Sequence, residues 1–259
     1  MAAVETKSAT NTGTTVTRRV LSFDVGIRTL SVIGWEQRCH IVDPTSKTGG
    51  VTDQQAWADL DIVYWDCIDI LQDNGCRAKN AKTVPAPKCT RFIVQSLWQR
   101  RHGLFRDPPD AILIEQQPLQ KSGQRVGSAK NKIIANAVLA FVESWIVTGQ
   151  TPVLPHPVMF SARSKLRVQT QKFWIPTKTR RTAEEKALEA TYKLRKQRGV
   201  ELATQVLDLV RADVKAEWAD HLFDADKQDD LSDCMLQGLF WLQSEPLIRR
   251  PKRQPRNPK

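Results

Sequence analysis

Four carboxylates stand where carboxylates are costly. Asp24 closes the apolar run in VLSFDVGIRTLSVIGW, and Glu115 closes the one in DAILIEQQP. Asp230 and Asp233 open the apolar run in KQDDLSDCMLQGLFW. A carboxylate beside a buried run is destabilising unless a positive group neutralises it. Three such segments in one chain point to a shared cation. Donors made only of oxygen favour Mg²⁺ or Mn²⁺ over zinc.

Each segment alone has an ordinary explanation. Asp24 with Gly26 is a D-x-G turn after a strand, a pattern also used by actin-like ATPases and sugar kinases. No second glycine-rich phosphate loop accompanies it. Glu115, followed by Gln116, Gln117 and Pro118, could cap a turn. Asp230 and Asp233 are three apart and share a helix face. As first-turn residues they are also favoured by the helix dipole. Asp224, Asp226 and Asp229 make that whole loop acidic, and Asp229 lies four before Asp233, so it competes with Asp230. The combination is more specific than its parts. A strand-end Asp, a strand-end Glu and a helical DxxD can cage two divalent ions about 3.5–4 Å apart. Such a pair aligns an attacking water and stabilises the 3′-oxyanion leaving a phosphodiester.

The composition agrees with a polyanionic substrate. The chain has 259 residues, 41% of them hydrophobic, and carries a net charge of +11. That excess points to nucleic acid. The five cysteines include no CxxC pair or zinc spacing and read as reduced thiols of an intracellular protein, with the compartment open. No apolar run reaches the roughly 18 residues of a membrane helix.

The elements that must position these residues follow from periodicity. Residues 1–17 read as a disordered tail and 246–259 as a basic disordered tail. Between them, runs at 20–23, 30–35 and 62–65 read as an antiparallel meander interrupted by a loop insertion at 43–59. Then come a helix at 90–104, a strand at 111–114, a strongly apolar helix at 130–147 and a short strand at 152–154. A basic insertion at 166–182 precedes one long helix at 183–210, with Gly199 as its weak point. The last helix spans 230–242. The order is mixed α/β. The insertion pairs Phe173 and Trp174 with many Lys and Arg, so these rings either stack on bases or anchor the insertion to the core. The basic stretch at 186–198 reads either as a track for phosphates or as a solvated face.

DVGIRTLSV, IEQQP and KQDDLSD, in that order, resemble the Holliday junction resolvases of the poxvirus and fungal mitochondrial type. These are relatives of bacterial RuvC in the RNase H-like superfamily. The resemblance spans roughly 20–245. It implies an RNase H-like fold with a mixed five-stranded sheet flanked by helices. It also implies a homodimeric, Mg²⁺-dependent endonuclease, with two ions per active site and Mn²⁺ as a substitute. Such an enzyme cuts branched DNA by paired symmetric nicks. The family's acidic ligands carry over onto Asp24, Glu115, Asp230 and Asp233. Its basic residue after the fifth strand carries over onto Lys165, which would neutralise charge on the scissile phosphate or merely grip a phosphate. A flap, fork or hybrid nuclease and a non-catalytic DNA-binding protein are the alternatives.

Overall fold

The alternating, β-branched start of TTVTRRVLSFDV makes a strand earlier than expected. The computed structural model describes residues 14–43, 45–116, 129–149, 154–161, 164–175 and 192–247. Strand β1 runs Thr14–Val25 and returns through a tight turn into β2, Thr29–Ile41. Thr14 pairs with Ile41, and Thr17 with Arg38. The tail expected over 1–17 therefore ends before Thr14. β-branched residues extended the strand past the apolar run that had marked it. The loop at 43–59 holds a short helix, α1 (Asp53–Ala58), whose N-terminus Thr52 caps in a capping box with Gln55. Strand β3 follows at Leu60–Asp69.

Helix α2 spans Ala86–Leu104, β4 Ala111–Gln116, α3 Ala129–Val147 and β5 Val158–Ser161. Of the strand expected at 152–154, residues 152 and 153 lie outside the described residues; Leu154 is buried but outside any strand, and β5 starts four residues later. A single 3-10 turn, Lys165–Arg167, follows. Helix α4 spans Tyr192–Leu207, α5 Ala212–Phe223 and α6 Gln228–Ser244. Residues 183–191 of the helix expected over 183–210 lie outside the described residues; the described part ends at Leu207, and the separate α5 went unread in the sequence. Its apolar residues are interleaved with Asp, Lys, Glu and His, and only Val214 and Leu222 are buried, which blunts the periodic signal. Gly199 lies inside α4 rather than at its end.

The sheet is the mixed five-stranded one expected, in the order β3-β2-β1-β4-β5. β1, β2 and β3 are antiparallel neighbours, while β4 and β5 run parallel to β1. The period of two sorts its side chains into two cores. Val20, Ile33, Trp35 and Leu113 join α4, α5 and α6 on one face. Leu21, Phe23, Ile112 and Ile114 join α2 and α3 on the other.

Helix α6 lies close against its face. A Cβ on Gly238 would come within 2.7 Å of Trp35 Cδ1 and 3.3 Å of Ser22 Cβ, so only glycine lets the helix approach. The Trp35 indole donates to the Met235 carbonyl at 3.1 Å, and the Gln237 amide donates to Ser22 Oγ at 3.0 Å. These bonds fix both the height and the register of α6 over β1. Of the basic insertion, Phe173 is fully buried against Trp57 and Trp174. The pair anchors the segment to the core; residues 176–182 of that insertion lie outside the described residues, as do 1–13 and 248–259.

Candidate active site

The strand period delivers the first two carboxylates. Val20, Ser22 and Asp24 alternate onto the α6 face of β1, and Ala111, Leu113 and Glu115 onto the same face of β4. The parallel register pairs Phe23 with Ile114. One step further, Asp24 and Glu115 emerge side by side at the carboxyl edge of the sheet. The charge of Glu115 is felt at Asp24 and raises its pKa. Gly26 makes the sharp turn after Asp24, since a Cβ there would meet the Thr29 carbonyl at 2.9 Å. Four residues past β5, the 3-10 turn carries Lys165 back over this edge. The first turns of α6 bring Asp230 and Asp233 down from above.

All five residues singled out in the sequence meet here. The Lys165 ammonium, 8% exposed, lies 2.6 Å from Asp233 Oδ2, 3.2 Å from Glu115 Oε1 and 3.5 Å from Asp24 Oδ1. Asp230 stands beside them, accepting a 2.6 Å hydrogen bond from Thr29 Oγ1. Asp230 and its neighbour Asp229 diverge. Asp230 is near enough to Asp24 for its charge to be felt there, whereas Asp229 turns to Lys196 of α4. Lys196 also stands 3.7 Å from Asp230 Oδ1.

Burial and crowding of like charge govern the electrostatics. Burial first, then the charge of Glu115, hold the Asp24 carboxyl well above the usual carboxylate range, against the pull of Lys165. Burial pushes Asp233 up to about 6, opposed by Lys165 and reinforced by Asp24. For Lys165, burial alone would favour loss of the proton, but Asp24, Asp233 and Glu115 together raise its pKa and keep it charged. Two thiols lie close by. Burial, then neighbouring groups, push Cys67 up to about 11 and Cys234 well above its ordinary value. Neither is a thiolate nucleophile at neutral pH.

The donor set suits a hard divalent ion: carboxylate oxygens from two strand ends and one helix, with no histidine among them. Among the described residues, no three His, Cys, Asp or Glu side chains are already gathered to hold such an ion. The Lys165 ammonium takes the centre of the cluster, and the carboxylates are arranged around it. Ion binding therefore requires Lys165 to withdraw from at least some of its three partners.

Two contributors were not singled out in the sequence. Thr29 opens β2, and nothing in the sequence around it signals that its hydroxyl meets α6. Lys196 was one of many cations in a basic stretch, and only the packing of α4 on α6 distinguishes it. None of the described helices is long and apolar enough to cross a membrane.

No protein-family model matches the sequence, and no curated protein matches it. Among solved structures, the chain is similar to the fowlpox virus resolvase in complex with substrate Holliday junction DNA. That match has 14% identity and a TM-score of 0.42, covering 87% of this chain and 97% of that one. It is also similar to Thermus thermophilus RuvC, at 13% identity and a TM-score of 0.45, covering 88% of this chain and 99% of that one. RuvC of the same organism in complex with a Holliday junction substrate gives 13% identity and a TM-score of 0.44. Likenesses this distant do not by themselves establish family or activity.

Proposed function

We propose that this protein is a divalent-metal-dependent endonuclease that resolves four-way DNA junctions by paired, symmetric nicks. One observation carries the reading. Asp24, Glu115 and Asp233, with Asp230 beside them, come from three separate segments to surround a single buried cation. A structural ion pair needs one carboxylate, not a cluster in which Glu115 and Asp230 raise the pKa of Asp24, and Asp24 that of Asp233. The sequence motifs that resemble the Holliday junction resolvases supply these same residues, and the net charge of +11 suits a polyanionic substrate.

In this reading Asp24, Glu115, Asp230 and Asp233 hold Mg²⁺, or Mn²⁺ in its place. Bound there, two ions would generate the attacking hydroxide and stabilise the leaving 3′-oxyanion. The chain's own groups do the rest. Asp24 and Glu115 are preorganised by the paired ends of β1 and β4. Thr29 orients Asp230 through Oδ2, while Oδ1 lies on the side of Lys196. Lys165, once released by its carboxylates, remains on the floor of the cleft, where its ammonium can meet charge building on the scissile phosphate. Two symmetric nicks require two such sites, so the active species is a C₂ homodimer.

The test is a cleavage panel of four-way junctions, flaps, forks, RNA–DNA hybrids and linear duplex, with Mg²⁺ and with EDTA. The proposal expects paired nicks in the four-way junction, in Mg²⁺ only. Preferential cutting of flaps or hybrids would assign the same site to a different nuclease. Binding without cleavage of any substrate would make the protein a non-catalytic junction binder.

A further inference from the structure

One face of α4 runs along the acidic face of α6. Lys196 and Gly199 are three apart and share that face. Lys196 reaches Asp229 and Asp230 in the first turn of α6. One turn on, Gly199 looks at Asp233: a Cβ built there would lie 3.5 Å from Asp233 Oδ1. The helix is thus bare opposite the carboxylate that grips Lys165, and carries a cation at the rim. The two lysines differ in exposure. The Lys165 side chain is 8% exposed and lies on the floor, whereas that of Lys196 is 30% exposed and stands at the edge. Five carboxylates face two ammonium groups here, so the cluster is anionic. A DNA strand can approach only after cations neutralise the acids, and that same neutralisation loosens the hold of Asp229 and Asp230 on Lys196.

We propose that Lys196 is a substrate-positioning residue. It is kept at the rim by Asp229 and Asp230 in the free protein and is handed to a backbone phosphate of the bound strand. Gly199, with no side chain, lets α4 pack close beside Asp233 without covering it. This rests on the nuclease reading above and adds to it a residue.

The test is junction binding in Ca²⁺, followed by fluorescence anisotropy from 50 to 200 mM KCl. Each phosphate contact adds about 0.9 to the slope of log K against log salt. Lys196→Gln should flatten that slope by about 0.9. It should therefore shrink the affinity lost over this range by about 3.5-fold, the fourfold rise in salt raised to that power. Lys196→Arg should restore the wild-type slope. Should Lys196→Gln fail to fold because Asp229 is left without its partner, Lys196→Gln with Asp229→Asn removes both charges and should flatten the slope equally. An unchanged slope and affinity in these variants would overturn the proposal and leave Lys196 as a brace between two helices. Wild-type protein that fails to bind branched DNA would instead overturn the nuclease reading itself.

Discussion

Lys165 holds the metal-free site together, and this makes its removal informative. Breaking a buried ion pair typically costs on the order of 3–5 kcal/mol, because the remaining charges lose their partner. In EDTA, Lys165→Met should therefore melt well below wild type. Added Mn²⁺ should raise its Tm by more than it raises that of wild type, since the ion meets no ammonium in its way. Cleavage should fall at least about tenfold, or about 1.4 kcal/mol of barrier, with junction affinity little changed. Equal losses of rate and affinity would make Lys165 a phosphate clamp. Asp233 supplies a pH test. Its folded pKa, raised by burial to about 6, exceeds the unfolded 3.8. The folded state therefore binds the extra proton, and stability is lost as pH rises from about 4 to about 6. The loss approaches 3 kcal/mol, from about 1.4 kcal/mol per unit. Metal-free Asp233→Asn should be more stable than wild type at pH 7.5, and that advantage should vanish at pH 4; calorimetry across this range reads it. The four carboxylates were legible as residue types beside apolar runs, and Lys165 only through the resemblance. Which of Asp229 and Asp230 turns inward was not, because that depends on Thr29 and Lys196 meeting α6 from distant segments.

At the scale of elements, the site depends on how closely α6 rides on the sheet. Gly238→Ala puts a methyl group 2.7 Å from Trp35 Cδ1. Overpacking of this kind costs about 1–3 kcal/mol, although alanine is the better helix former. Chemical denaturation should show that loss, and cleavage should fall too, because the helix carrying Asp230 and Asp233 must lift. A variant as stable and active as wild type would mean that α6 has slack. Gly238 was invisible in the sequence, since an isolated glycine in an apolar helix gives no sign of what it touches. The meander, by contrast, was legible from alternation, and β4 from its apolar run. The errors came where local pattern was weak. β5 is four residues long and nowhere fully buried, so no long apolar run marks it. Residues 14–17 are polar yet β-branched, and pairing with β2 rather than burial keeps them extended.

At the scale of the molecule, the excess of positive charge is long-range and the acidic cluster is local. Junction affinity should fall steeply with salt, by roughly 10³-fold between 50 and 200 mM if about six phosphates are contacted. Light scattering at micromolar protein should report a dimer, because paired nicks need two sites. A monomer with and without junction DNA, together with single unpaired nicks on a cruciform plasmid, would favour a flap or hybrid nuclease. The central claim is that the carboxylate cluster does the cutting while the basic surface does the holding, and one substitution separates the two. Wild type and Asp24→Asn are compared on the same labelled four-way junction in Mg²⁺, measuring cleavage rate and equilibrium binding together. The account predicts that Asp24→Asn binds the junction at least as tightly as wild type, having lost a charge that repels phosphate, and does not cleave it. Cleavage by Asp24→Asn at the wild-type rate would contradict it.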